Sequence, residues 1–413
     1  MKKTLAIAMI GSLAAIANLS AQVNIYIAGS TAFRANAVRA ITNLYGANLT
    51  AWNDGTTNQV DATGSSAVTF SGTIPSLYSG NTVNIKCYWS GSVQGIHTLN
   101  FGENLNFLAS STANTATIDA HTADFTFSDC FQSSTPFQQY TLTDSNVAVL
   151  PFVWIRSYGA STNVMDLTMQ QVQEALPNGI LPLSYLTGID SDSTNSDGTT
   201  NKVYFTGRNT DSGTRVTTDA DTFYSGTEKI YLVATSGSTN HAPYYSTAGQ
   251  VIGGYNYGAG YTGGSALRSA VIAATTNTVL GYLGYPDSVK KLGPLYAGGN
   301  TAIISYNGTL PYYNGLLMAT NNNGVAILTT TNFPDFSPVT RGQYSYWCYE
   351  HALIGGKNTP SANAVTLFTY MCTNGVDADL KALEVPASGG PVSAIRLSEM
   401  KVRRTVDGGP ITP

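Results

Sequence analysis

The feature that most constrains the fold is a strand, a turn of small residues and a helix in close succession near the start of the chain. Val23, Ile25 and Ile27 alternate with other residues, as in a β-strand, and helical spacing begins at Phe33 after a short turn. Three further turns of small residues follow runs that also predict strands. Because strands that alternate with helices build parallel sheets, the sequence predicts an α/β fold. The four turns are Gly29-Ser30-Thr31, Gly91-Ser92, Ser128-Asp129 and Asp211-Ser212-Gly213-Thr214.

The length of the chain and two apolar runs predict two lobes. A chain of 413 residues exceeds what one compact core usually holds. The runs SNVAVLPFVWIRSY and VTRGQYSYWCYEHALIG predict two strands that cross between the lobes and form a hinge. We expect lobe one to comprise residues 22–150 plus 342–385, lobe two to comprise residues 151–341, and residues 386–413 to form a C-terminal tail.

Local signals predict several other elements. Thr168 and Gln171 form a capping box at the start of a helix in DLTMQQVQEAL. The run SALRSAVIAATTNTVLGYLGYP predicts a helix and then a strand, and SANAVTLFTYM predicts a helix. Residues 53–83 are rich in Thr, Ser, Gly and Asn, so they predict an irregular insertion.

The first 21 residues are typical of a secretory signal. Two lysines precede a short apolar run, and cleavage after Ala21 is expected. The apolar run is too short to span a bilayer. Gln22 stands where a lipoprotein would carry its lipid-bearing Cys, so we expect a soluble protein in the periplasm or secreted, without a lipid anchor.

Charge and composition exclude some classes of function. The net charge is −4 and only 11% of residues are charged, so no basic surface for nucleic acid or an acidic membrane is expected. The four histidines are scattered without metal-ligand spacing, so neither a zinc site nor a cofactor is expected. An exported protein could form two disulfides from its four cysteines, in any of three pairings. The cysteines are Cys87, Cys130, Cys348 and Cys372.

The four turns are candidates for an anion site. Ligands of parallel α/β sheets bind at the carboxyl ends of the strands, and helix N-termini there present free N–H groups to an anion. Ser and Thr add hydroxyl donors, and Arg208 adds a fixed charge with a bidentate fork. Each turn taken alone is more often only a helix cap, and a lone Arg is more often a surface residue. Their joint occurrence favours a site for a small tetrahedral oxyanion.

The order of these motifs resembles the phosphate-binding proteins of bacterial ABC uptake systems, a family of type 2 periplasmic binding proteins. GRNTDSGTR is similar to the most specific motif of that family, an Arg followed by Ser-Gly-Thr at a helix start. IAGSTAF, YWSGSVQGI and ADFTFSDCFQ are similar to its other phosphate loops. The resemblance extends from residue 23 to about residue 375, although residues 53–83 and 98–122 are longer than the family core needs.

The resemblance implies a phosphate site at the interlobe cleft. Donors would come from hydroxyls, backbone N–H groups and one guanidinium, whereas Asp129 would face a proton on the ligand. Because sulfate carries no such proton, Asp129 would select phosphate against sulfate. The implied ligand-binding residues are Thr31, Ala32, Ser92, Asp129, Arg208, Ser212, Gly213 and Thr214.

The function implied by the resemblance is non-covalent phosphate binding by a monomer that delivers the anion to a membrane ABC permease. Two alternatives belong to other classes. A phosphatase on the same scaffold would need an activated nucleophile such as Ser212, which has no evident base near it in sequence. A surface or adhesion protein would keep the fold without binding an anion. The tail RLSEMKVRRTVDGGPITP predicts a solvated terminal hairpin rather than a docking surface.

Overall fold

The computed structural model describes residues 22–56, 62–112, 114–195, 200–234, 243–247, 251–252, 255–256, 258–288, 302–312, 318–320, 326–328, 335–383 and 394–413. The predicted signal sequence lies outside these residues. No described helix combines the length and the apolar character that crossing a membrane requires.

The described chain alternates strands and helices, which confirms the predicted α/β class. The strands are β1 Val23–Gly29, β2 Leu49–Asn53, β3 Ala67–Thr73, β4 Thr82–Tyr88, β5 Leu105–Leu108, β6 Ile118–His121, β7 Phe125–Ser128, β8 Thr143–Arg156, β9 Asp166–Leu167, β10 Ile180–Pro182, β11 Lys202–Thr206, β12 Tyr231–Val233, β13 Pro243–Tyr245, β14 Val251–Ile252, β15 Tyr255–Asn256, β16 Thr278–Gly284, β17 Ala302–Tyr306, β18 Met318–Thr320, β19 Ala326–Leu328 and β20 Trp347–Ile354. The helices are α1 Arg34–Tyr45, α2 Pro75–Tyr78, α3 Ser92–Phe101, α4 Met169–Asn178, α5 Leu183–Thr187, α6 Gly213–Asp221, α7 Gly264–Ala273, α8 Ser337–Thr340, α9 Ala362–Tyr370 and α10 Val376–Leu383.

Most of the larger strands form one 12-stranded sheet in the order β10-β11-β16-β8-β20-β7-β1-β4-β3-β2, with β17 and β9 attached beside β8. Strand β8 belongs to both halves of this sheet. Its first part, residues 143–151, pairs with β20, and its last part pairs with β16 and β17. The predicted apolar crossing strand is therefore present as a 14-residue strand that joins the two halves.

We use lobe one for the half that contains β2, β3, β4, β1, β7 and β20. Strand β1 is parallel to β4 on one side and to β7 on the other. Ile25 and Ile27 pack into the core shared with α1, whereas Tyr26 and Ala28 pack against α3 on the opposite face. The alternation in the sequence thus marks two buried faces, as expected for a central parallel strand.

We use lobe two for the half that contains β10, β11, β16, β17 and β9. Strand β11 is parallel to β16, and helices α6 and α7 contact β16. The capping box at the start of α4 is confirmed, because the Thr168 hydroxyl accepts from the Gln171 N–H and the Gln171 side chain accepts from the Thr168 N–H. The division of the chain at particular residues stays a prediction.

The prediction of an irregular insertion is wrong, and that of a solvated tail holds only in part. Residues 53–83 include β3, which pairs antiparallel with both β2 and β4, so much of the expected insertion is sheet. The tail forms the predicted hairpin, with Arg403 bridged to Thr412, and most of its residues are exposed or half-buried. Arg404 and Asp407 are buried in it, because both side chains bond to backbone groups of the hinge and lobe one.

The expected disulfides do not form. All four cysteines have free thiols. Cys87 lies inside β4 and Cys348 inside β20, and burial raises the pKa of both thiols above its ordinary value. These side chains are small hydrophobic core residues rather than crosslinks.

Candidate functional site

The carboxyl ends of four strands place the predicted site residues. Because β1, β4 and β7 are neighbours and run in parallel, the turns after them lie side by side at one edge of lobe one. The turn after β11 comes from lobe two and meets them. All eight predicted ligand-binding residues are buried. The structure therefore brings segments far apart in sequence to one place.

Arg208 joins the two lobes. Its Nη2 donates to the Thr31 hydroxyl at 3.2 Å and to the Thr262 carbonyl at 3.0 Å, and its Nε donates to the Tyr261 carbonyl at 2.9 Å. Nη1 makes no hydrogen bond to the described part of the chain. The guanidinium is thus fixed by three acceptors and keeps two N–H donors for a ligand.

Asp129 is the centre of a second set of contacts. One carboxylate oxygen accepts from the Ser92 hydroxyl, and the other accepts from the Thr214 hydroxyl at 2.9 Å. The Asp129 N–H donates back to the Ser92 hydroxyl at 3.1 Å. Thr214 belongs to lobe two, so this carboxylate also connects the lobes.

Glycine is required where the lobes approach most closely. A Cβ added at Gly213 would lie 2.0 Å from an Asp129 carboxylate oxygen and 2.9 Å from the Ser92 Cβ. No real Cβ tolerates such a distance. The Gly of the Ser-Gly-Thr motif is therefore explained by contact between the lobes rather than by backbone conformation.

The remaining two predicted residues have local roles in the structure. Ser212 is the N-cap of α6, and its hydroxyl accepts from the Arg215 N–H at 3.4 Å. Ala32 lies in the turn before α1, and its Cβ lies against Gly284 of lobe two. Neither side chain contacts the Arg208 guanidinium or the Asp129 carboxylate.

Burial sets the electrostatics of the site. It raises the pKa of Asp129 above its ordinary value, although the bonds from Ser92 and Thr214 and the charge of Arg208 act in the opposite direction. Burial also lowers the pKa of Arg208, and the nearby Asp287, Asp129 and Asp211 oppose this. Because the ordinary pKa of an Arg lies far above neutral pH, Arg208 stays a cation.

Two buried carboxyls lie beside the site: Asp211, predicted only as part of a turn, and Glu350, which was not predicted. Burial raises the pKa of Asp211 to about 7. Glu350 on β20 is 0% exposed, and neither of its carboxylate oxygens meets the geometry of a hydrogen bond with a described residue. Burial, and then the charge of Asp129, raise its pKa well above the ordinary value, whereas Ser30 acts in the opposite direction. An acidic residue inside the apolar run WCYEHALI was the available signal for Glu350.

A polar network behind Arg208 was also missed. The Arg208 N–H donates to the Tyr282 hydroxyl at 3.2 Å, and that hydroxyl donates to the Glu228 carboxylate at 2.7 Å. Arg215 donates from Nη1 to the Arg208 carbonyl at 3.0 Å and pairs with Glu228 at 3.6 Å. This network fixes the backbone of the turn that carries Arg208. No sequence spacing indicated it, because its members come from β16, α6 and a loop.

Within the described residues, no group of three or more His, Cys, Asp or Glu side chains could hold a metal ion. The donors at the site are hydroxyls, backbone N–H groups and one guanidinium. That set is suited to an oxyanion.

Comparisons with known proteins give structural neighbours alone, since no family model and no curated protein matches the chain. A structure described as a phosphate ABC transporter substrate-binding protein of Clostridium perfringens, with bound phosphate, is 12% identical with a TM-score of 0.48, and the match covers 91% of this chain and 99% of that chain. An ABC-type phosphate transport receptor of Vibrio cholerae is 11% identical with a TM-score of 0.38, covering 87% of this chain and 97% of that chain. PstS of Borrelia burgdorferi is 11% identical with a TM-score of 0.36, covering 87% and 97%.

The sequence motifs resemble the family in which these neighbours are described. All three TM-scores lie below 0.5. The function proposed below therefore rests on the geometry of the site.

Proposed function

We propose that the chain is an exported solute-binding protein that binds inorganic phosphate non-covalently between its lobes and delivers it to a membrane ABC permease. The observation that carries the proposal is the meeting of Arg208 from lobe two with Thr31 from lobe one at 3.2 Å. This buried guanidinium has N–H donors left over and lies at the carboxyl ends of parallel strands, which suits it to bind an anion. Such an anion would need further donors. In the structure the hydroxyls of Ser92 and Thr214 donate to Asp129, so they would serve the anion only after turning away from that carboxylate.

The charge balance of the site favours a protonated anion. Arg208 is one positive charge, and the carboxyls of Asp287, Asp129 and Asp211 act on it electrostatically. Glu350 is a further buried carboxyl, on which the charge of Asp129 acts. An anion without protons would add to this negative charge, but hydrogen phosphate can donate a hydrogen bond to Asp129. Phosphate is therefore favoured over sulfate.

Binding rather than turnover is the activity inferred. The Ser212 hydroxyl, the nucleophile of the phosphatase alternative, accepts from the Arg215 N–H and caps α6. It makes no hydrogen bond to a described His, Asp or Glu side chain that could remove its proton. Release of the bound anion would need the lobes to separate about β8, the strand that both halves share.

Calorimetric titration of refolded protein tests the proposal. Refolding matters because a tight binder leaves the cell already loaded. We expect phosphate to bind with micromolar or tighter affinity and sulfate to give no heat. Asp129→Asn should weaken this selectivity by about tenfold to a hundredfold, since an amide can donate to sulfate.

A chromogenic phosphate ester distinguishes the enzyme alternative. Turnover that is lost in Ser212→Ala would replace the binding proposal by a phosphatase. No heat with either anion would instead favour a surface protein that has kept the fold.

A further inference from the structure

Asp211 makes a contact between the lobes that the anion site does not explain. It precedes the Ser-Gly-Thr motif in lobe two, yet its partners belong to helix α3 of lobe one. The Gln94 N–H donates to the Asp211 Oδ1 at 2.7 Å, and the Val93 N–H donates to the Asp211 carbonyl at 3.0 Å. One residue of lobe two thus caps a helix of the other lobe.

Helix α3 has no cap of its own. Its N-cap position is Gly91, which has no side chain and makes no side-chain hydrogen bond. The first N–H groups of a helix have no partner within the helix, so an oxygen must come from elsewhere. Asp211 supplies two, one from its side chain and one from its backbone.

The close approach also depends on Gly91. A Cβ at this position would lie 2.3 Å from the Asp211 carbonyl oxygen and 2.6 Å from its carboxyl carbon. The backbone of Gly91 is extended, with a φ of 162°, so any residue could adopt its conformation. Glycine is therefore explained by the neighbour rather than by the torsion.

We propose that Asp211 is a positioning residue that caps helix α3 across the cleft and thereby fixes the Ser92 hydroxyl relative to the Arg208 guanidinium. Ser92 is the first residue of α3, and Arg208 is three residues before Asp211 in the same turn. The cap therefore fixes the distance between the Ser92 hydroxyl and the Arg208 guanidinium, which come from opposite lobes. This inference rests on the proposed function for its effect on affinity, but the cap itself is independent of any ligand.

The charges around Asp211 make the cap sensitive to pH. The charges of Arg208, on the same turn, and of Asp129, from lobe one, act on the Asp211 carboxyl. The charge of Asp211 in turn acts on Tyr88 at the end of β4. The Asp211 Oδ2 is buried without a hydrogen-bond partner among the described residues, and burial raises the pKa of Asp211 to about 7, although the bond from the Gln94 N–H acts in the opposite direction. In an open form the carboxyl would be exposed, with an ordinary pKa of about 3.9. Closure therefore takes up a proton, so it is most favourable below about pH 4 and becomes less favourable as the pH rises from about 4 to about 7.

Hydrogen exchange of the Val93 and Gln94 amides, measured without phosphate, tests the cap directly. We expect Asp211→Ala to reduce their protection by about tenfold, because the Gln94 N–H loses its acceptor and the helix loses its side-chain cap. Asp211→Asn should keep most of the protection at all pH values, since the amide oxygen can still accept. The decline of protection between about pH 4 and pH 7, after correction for intrinsic exchange, should disappear in that variant. Asp190→Asn, an exposed acidic residue in the same lobe, is the matched control.

Phosphate titration of the same variants tests the effect on the site. Asp211→Ala should lower phosphate affinity by about tenfold, and Asp211→Asn should stay near the wild type at neutral pH. Unchanged exchange at Gln94 in Asp211→Ala would overturn the inference whether or not phosphate binds. If Asp211→Ala loses protection as expected but the wild-type protein binds no phosphate, the cap is supported and the proposed function is wrong.

Discussion

Arg208 and Arg404 are both nearly inaccessible, at 1% and 4% exposure, but they differ in the groups that their guanidiniums contact. Arg208 donates from Nε and Nη2 to the oxygens of Tyr261, Thr31 and Thr262, and its Nη1 makes no hydrogen bond to a described residue. Arg404 donates from Nη1 to the Trp347 carbonyl at 2.9 Å and from Nη2 to the Ser345 carbonyl at 2.6 Å, and it lies 4.1 Å from the centre of the Trp347 ring.

The neighbours of the two arginines differ in the same sense. Arg208 lies beside the Thr31 hydroxyl and the carboxyls of Asp129 and Asp211 at the strand ends, where a ligand can add acceptors. Arg404 lies against the hinge, where an aromatic ring and backbone carbonyls enclose it. A buried Arg beside a hydroxyl and carboxyls at strand ends is therefore suited to an anion, whereas one held by an aromatic face and backbone carbonyls is structural.

The largest effect is expected for Arg208→Ala. Removal of this cation leaves the anion facing buried carboxyls, so phosphate affinity should fall by about 100-fold or more. Calorimetry measures this, and the free energy of unfolding without ligand should change much less than the affinity. An affinity within about threefold of the wild type would contradict the assignment of Arg208 to the site.

Arg404→Ala should chiefly change stability. Loss of this side chain removes its hydrogen bonds to the Trp347 and Ser345 carbonyls and the charge beside Asp221 and Asp407, so we expect about 3 kcal/mol less free energy of unfolding. Chemical denaturation measures it. Arg403→Ala, an exposed neighbour in the same hairpin, should cost under about 0.5 kcal/mol. Equal effects of the two variants would mean that the tail is solvated after all.

Gly213→Ala separates binding from folding. The added methyl group would clash with Asp129 and Ser92, which belong to the other lobe, rather than with its own helix. Closure should be impeded, and phosphate affinity should fall by about tenfold or more. Gly408→Ala in the tail is the counterpart, because its φ is 63° and an added Cβ would lie 2.2 Å from the Ala220 carbonyl. That variant should lose stability instead, as seen by thermal unfolding.

The smallest effect is expected for Thr168→Ala, far from both arginines. It removes the hydroxyl of the capping box on α4 and should cost about 1 kcal/mol of stability, with phosphate affinity unchanged. Thr162→Ala, on an exposed turn of the same lobe, should change neither quantity. A change in phosphate affinity for Thr168→Ala would show that the α4 cap and the anion site are coupled, and would contradict the expectation that this cap affects stability alone.

The sequence by itself determined the local elements. The capping box of α4, the strand–turn–helix at the start of the chain, the crossing strand β8 and the helices α7 and α9 all follow from spacing and turn chemistry within about ten to twenty residues. The four turns of small residues were visible for the same reason. Each could be identified without reference to any distant segment.

Only the tertiary structure decided which of these turns meet. Thr31 and Arg208 are 177 residues apart, and Gln94 and Asp211 are 117 apart, so no local periodicity connects either pair. For a related reason, sequence patterns did not predict the burial of Arg404, the free cysteines or the buried Glu350. A polar or charged residue is expected at the surface unless its partners are known, and here the partners come from other strands. Local chemistry fixed the elements, and contacts between distant segments fixed the site.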